Sequence, residues 1–74
     1  MSQANEVDSW SNVIGKYEVQ YSLYEASGKY PVLVLIRDKS FHHLFDKQPT
    51  RKEVEEHFKS REDFSSYCKI LVGS

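Results

Sequence analysis

Apolar and polar residues alternate with period two from residue 16 to residue 23, with Tyr17, Val19, Tyr21 and Leu23 on one side and Lys16, Glu18, Gln20 and Ser22 on the other. Successive side chains of an extended chain point to opposite faces, so this stretch predicts a half-buried β-strand. Glu25, Ala26, Ser27, Gly28 and Lys29 then read as a turn, in which Gly28 can take positive φ. Residues 30–37 follow as an apolar, β-branched run with Pro31 near its start, which predicts the second strand of a hairpin.

Asp38 and Lys39 suit a two-residue reversal, after which residues 41–45 return as a third strand, although Phe41, Leu44 and Phe45 also have helical spacing. On that turn Ile36 faces Phe41, Val34 faces His43 and Val32 faces Phe45, while the other face sets Leu33 beside Leu44 and Leu35 beside His42. The second strand is then apolar on both sides, the pattern of a strand covered twice. The loop at residues 25–29 permits two registers, which leaves open the face that Tyr17, Val19, Tyr21 and Leu23 join.

Thr50 and Glu53 make a T-x-x-E capping box ahead of Val54 and Phe58, predicting a helix from Arg51. Ser60 and Asp63 repeat the pattern, so the helix continues or a second one begins, with Gly73 as a stop. At 100° per residue Val54, Phe58, Phe64, Cys68, Leu71 and Val72 share one arc, and a final strand over residues 67–72 is the competing assignment. Trp10, Val13 and Ile14 are spaced as one helical turn behind Asp8 or Ser9, so residues 1–15 read as an N-terminal arm or short helix and residues 16–74 as the single domain. The expected fold is α+β, a three-stranded antiparallel β-meander followed by one long or two consecutive C-terminal helices packed on one sheet face.

Composition narrows the class. Seventy-four residues provide for one core, and 39% apolar with 14% aromatic residues suits a folded domain. Ten Lys and Arg against eleven Asp and Glu give a net charge of −1, without the excess of a dedicated nucleic-acid binder. Cys68 has no second cysteine to pair with, which points to a reducing, cytoplasmic setting. No apolar run approaches the length of a membrane span and no basic-then-apolar leader opens the sequence, so no membrane partner is expected.

The residue types that carry chemistry do not converge. His42 and His43, with Asp38 and Asp46 nearby, are metal-ligand types, but neighbours on a strand point to opposite faces. His57 and Cys68 on one continuous helix would stand about 16 Å apart along its axis, beyond reach of a thiol–imidazole pair. Glu55, Glu56, Glu62 and Asp63 lie among Lys52, Lys59 and Arg61 at the spacings of a solvated helix face. Phosphate-binding glycine loops, nucleophile elbows and metalloprotease helices are absent, so no catalytic residue, metal or cofactor is expected.

Binding is the reading left. A small non-enzymatic protein-binding module is expected, a regulator or inhibitor that occludes a partner's surface, with another protein or a second copy as partner. Leu33, Leu35 and Leu44 supply an apolar face for it, and Tyr24 and Tyr30 flank the turn as amphipathic anchors. The alternative is a weak nucleic-acid-binding domain, because residues 37–52 set Arg37, Lys39, Lys47, Arg51 and Lys52 against only Asp38 and Asp46, with Phe41 and Phe45 interleaved.

Overall fold

The computed structural model describes residues 4–73. Strands β1 (Asn5–Ile14), β2 (Tyr17–Glu25), β3 (Tyr30–Ile36) and β4 (Lys39–Phe45) form one antiparallel sheet in sequence order, followed by helices α1 (Arg51–Ser60) and α2 (Glu62–Gly73). The α+β class and the C-terminal helices match expectation, but the sheet has four strands rather than three. The additional strand is β1, in the segment read as an arm or short helix. Trp10 and Ile14 point to the same face as Tyr21 and Tyr17, their β2 partners, while Val13 points away and is 65% exposed. Gly15, at φ 64, closes the β1–β2 hairpin.

The β2–β3 hairpin turns at Ser27 and Gly28, which both have positive φ, the backbone of a type I′ turn. Ala26 and Lys29 close it with reciprocal backbone bonds of 2.9 and 3.0 Å. This register sets Val19 against Ile36, Tyr21 against Val34 and Leu23 against Val32, and so settles the face that the β2 apolar set joins. The β3–β4 reversal falls at Arg37 and Asp38, one residue earlier than the sequence reading. Val34 therefore pairs with Phe41, Val32 with His43, Leu33 with His42 and Leu35 with Ser40. A shift of two residues keeps every side chain on its expected face. Contacts distant in sequence hold the turn there: the Arg37 guanidinium lies 5.0 Å from the Tyr17 ring centre and the Tyr67 hydroxyl donates to Asp38 Oδ1 at 3.2 Å.

Both helices cover the same sheet face and run across the strands. Arg51, at the start of α1, holds Asp8 of β1 through two bonds of 2.8 Å, Glu55 accepts the Trp10 indole N–H at 2.9 Å, and His57 packs on His43 and Phe45 of β4. Just past the end of α1, Arg61 donates to the His42 carbonyl at 2.7 Å. Ten helical residues extend about 15 Å, close to the width of three strand spacings. Helix α2 returns from Phe41, which Phe64 meets edge-on, to Ile14 and Gly15, beside which Cys68 and Val72 lie.

The core is the layer between. Val19, Tyr21, Leu23, Val32, Val34 and Ile36 from the central strands and Val54, Phe58 and Phe64 from the helices are at most 2% exposed. Thr50 caps α1 as expected: its Oγ accepts the Glu53 N–H at 3.1 Å while the Glu53 carboxylate accepts the Thr50 N–H at 2.8 Å. The expected second box is not formed. Arg61 is extended, at φ −78 and ψ 136, Ser60 donates to the His57 carbonyl, and Asp63 instead takes the Phe64 N–H and the Arg61 guanidinium.

Two stability predictions follow from these local structures. Thr50→Ala loses the cap acceptor and destabilises the protein by about 1 kcal/mol, which a urea titration reads as a lower midpoint at constant slope. Ser27→Asn places the residue preferred for the first position of a type I′ turn ahead of Gly28, and raises the melting temperature by about 2–4 °C in calorimetry.

Candidate functional site

The opposite face of the sheet carries no helix. Four cross-strand rows make it up: Val13 with Glu18; Ser11, Gln20, Leu35 and Ser40; Ser9, Ser22, Leu33 and His42; and Glu6 with Tyr24 beside Pro31 and Leu44. Its β3–β4 half carries Leu33, Leu35 and Leu44, with Leu35 40% and Leu44 54% exposed, and its β1–β2 half is mostly polar, with Val13 exposed towards the β1–β2 turn. Four of the five residues read as a protein-binding set, Leu33, Leu35, Leu44 and Tyr24, lie on this face. Tyr30 does not: it pairs with Phe45 and packs against the core on the helix side. The N-terminal segment gives the open face no cover, because β1 is itself part of the sheet, with Trp10 and Ile14 pointing into the core and Val13 exposed on the open face.

The sheet edge beside this face is partly closed. Arg61 occupies the His42 carbonyl of β4, an outward-pointing acceptor that another strand would otherwise use. At the other edge a bulge at Val7 interrupts the β1–β2 ladder between Glu6 and Asp8. These features favour contact through the face over addition of a strand to the edge.

The basic residues are divided by the fold. Arg37 and Lys39 sit at the β3–β4 turn against the rings of Tyr17 and Tyr67, 5.0 and 5.8 Å from their centres. Arg51 is taken up by Asp8 and lies over Trp10, while Lys47 follows the far end of β4 and Lys52 is exposed on α1. Phe41 and Phe45, the interleaved aromatics, pack on the helix-covered side. A continuous basic groove lined with stacking rings, the usual means of holding single strands, is not what this arrangement makes.

The histidines separate as their neighbouring positions require, His42 to the open face and His43 to the covered one. His43 meets His57 there, with ring centres 4.0 Å apart, and Phe45 and Phe58 close around the pair. His57 Nε2 is buried without a hydrogen-bond partner. Desolvation first, then the proximity of His43 and Arg61, holds the His57 pKa below its ordinary 6.5. Cys68 lies towards Ile14, at the other end of the sheet from this cluster, and burial pushes its thiol pKa up. The two are not a nucleophile and its base. Among the described residues no three of His, Cys, Asp and Glu gather as a metal site, and no helix is long and apolar enough to cross a membrane.

With the geometry established, comparison with protein-family models, curated proteins and solved structures gives no match. Function is therefore argued from the surfaces of this chain alone.

The partly buried His57 has a pH consequence. A folded-state pKa below the unfolded one means that the unfolded chain binds the proton more readily, so stability falls as pH drops below about 6.5 and levels off below the folded pKa. Asp8, Asp46 and Asp63, each held down by its basic partner, add their losses at lower pH, below 3.8. Urea midpoints between pH 7 and pH 5 should decline in the native sequence and decline less in a His57→Gln variant.

Proposed function

We propose that this chain is a small non-enzymatic protein-binding module that works by laying the open face of its sheet on another protein, and so regulates or inhibits that protein by occupying its surface. The observation that carries the reading is the placement of both helices on one face, which leaves Leu35 and Leu44 exposed and coplanar with Leu33 and Tyr24 on the other. Leucines on β3 and β4 beside serines and a glutamine on β1 and β2 give the mixed apolar and polar character that protein interfaces have. Tyr24, with a broad ring and a polar tip, is the side chain of this group best suited to anchor a contact. A two-fold axis would set this patch against the same patch of a second copy, which is the simplest occupant to test.

Leu35→Lys separates a working surface from ordinary core. On a working surface the substitution leaves the melting temperature within about 2 °C and abolishes concentration-dependent self-association in sedimentation equilibrium. An unfolded Leu35→Lys variant, or self-association of equal strength in both proteins, would overturn the assignment. Raising salt gives an independent check, because apolar contact persists while phosphate-driven binding falls steeply.

A further inference from the structure

A second apolar surface lies on the helix side, unconnected with the open sheet face. Between α2 and the end of the β1–β2 hairpin runs a groove of about 530 Å³, lined by Ile14, Phe64, Cys68 and Val72 with Ser65 and Gly73 completing the wall, and by Lys59 and Lys69. Its size falls within the range of about 300–1,000 Å³ typical of small-molecule sites. Val72 is 55% exposed, so the groove presents apolar surface to water that neither helix covers. Gly15 lets the hairpin end pass close to α2 here, since a Cβ at that position would stand only 3.3 Å from Val72 Cγ2.

The charged side chains that line the groove have one sign. The lining contains two lysines and no acidic residue, in a chain whose net charge is −1. Among the described residues neither Lys59 nor Lys69 enters an ion pair, whereas Lys29, Arg51 and Arg61 do. The wall is almost wholly apolar although two lysines line it, which is what lysine stems contribute when their charged ends stay in water. The C-termini of α1, near Lys59, and of α2, whose Gly73 lines the groove, each contribute a partial negative charge, and the two full positive charges outweigh them.

We propose that this groove binds a free, single-chain aliphatic carboxylate, with its alkyl chain along Ile14, Phe64, Cys68 and Val72 and its headgroup between Lys59 and Lys69. An apolar groove flanked by two lysines that enter no ion pair among the described residues is complementary to that amphiphile in both halves. A nonionic chain satisfies only the channel and a short anion only the rim. Cys68 lies in the wall and reports occupancy, because a bound chain covers its sulfur.

The test is calorimetric titration of the intact protein with dodecanoate below its micelle concentration, alongside dodecyl glucoside, acetate and anionic lipid vesicles as probes. The expected result is saturable one-to-one binding of dodecanoate, slower alkylation of Cys68 by iodoacetamide in its presence, and no binding of acetate. Reversing both rim charges, Lys59→Glu with Lys69→Glu, weakens dodecanoate binding about tenfold and changes dodecyl glucoside binding by less than about twofold. Val72→Glu, at an exposed position, abolishes dodecanoate binding while the thermal melt shows a folded protein. Absence of saturable dodecanoate binding, equal affinity for dodecyl glucoside, unprotected Cys68 at saturation, or binding to vesicles without binding to monomeric dodecanoate would each overturn the proposal. Leu35→Lys leaves this titration unchanged, so it stands or falls apart from the role of the open sheet face.

Discussion

Six side chains of the two central strands, Val19, Tyr21, Leu23, Val32, Val34 and Ile36, are withdrawn from water on one face of the sheet, and every other feature answers to that requirement. A sheet face of this width cannot be covered by a helix lying along one strand. The two helices therefore lie across the strands, α1 over the end that holds Asp8, Leu23 and His43 and α2 over the end that holds Ile14, Tyr17 and Phe41. The extended residue Arg61 makes the reversal between them, and its side chain ties that reversal to β4 and to Asp63. The first strand is joined to this layer by Trp10, which stacks on Tyr21 at 5.1 Å and donates to Glu55.

Much of this was legible in the order of residues. Strict alternation in β2, the doubly apolar β3 and the T-x-x-E signature of α1 are local signals, and each corresponds to an element in the structure. β1 was hidden because its alternation is impure: Asn12 points inward, Val13 outward, and the spacing of Trp10, Val13 and Ile14 imitates a helical turn. The position of the β3–β4 turn depends on Tyr17 and Tyr67, which are remote in sequence from Arg37 and Asp38, so turn chemistry alone put it one residue late. Because the resulting error in register was two residues, the assignment of faces survived it.

The surfaces were legible to a lesser degree. The open face follows from β3 being apolar on both sides while the helical stripe can cover only one. Tyr30 was grouped with the leucines for its nearness to the turn, and parity along β3 puts it on the helix-covered face. The basic stretch at residues 37–52 looked continuous as a string, yet a turn, a strand and a helix start distribute it over the ends of the molecule and bring Arg51 to Asp8. The groove beside α2 gives no signal in sequence, since it arises from the fit between a helix end and the first hairpin.

The strands precede their cover along the chain, and this order has a cost during synthesis. A meander closes through neighbouring hairpins, whose contacts are local and form early. Such a nascent sheet shows two apolar faces until Val54, Phe58 and Phe64 have left the ribosome and docked. The transverse helices that unite the finished molecule thus define an interval in which it is most exposed to misassociation, and in which a chaperone would find both sides of β3 within reach.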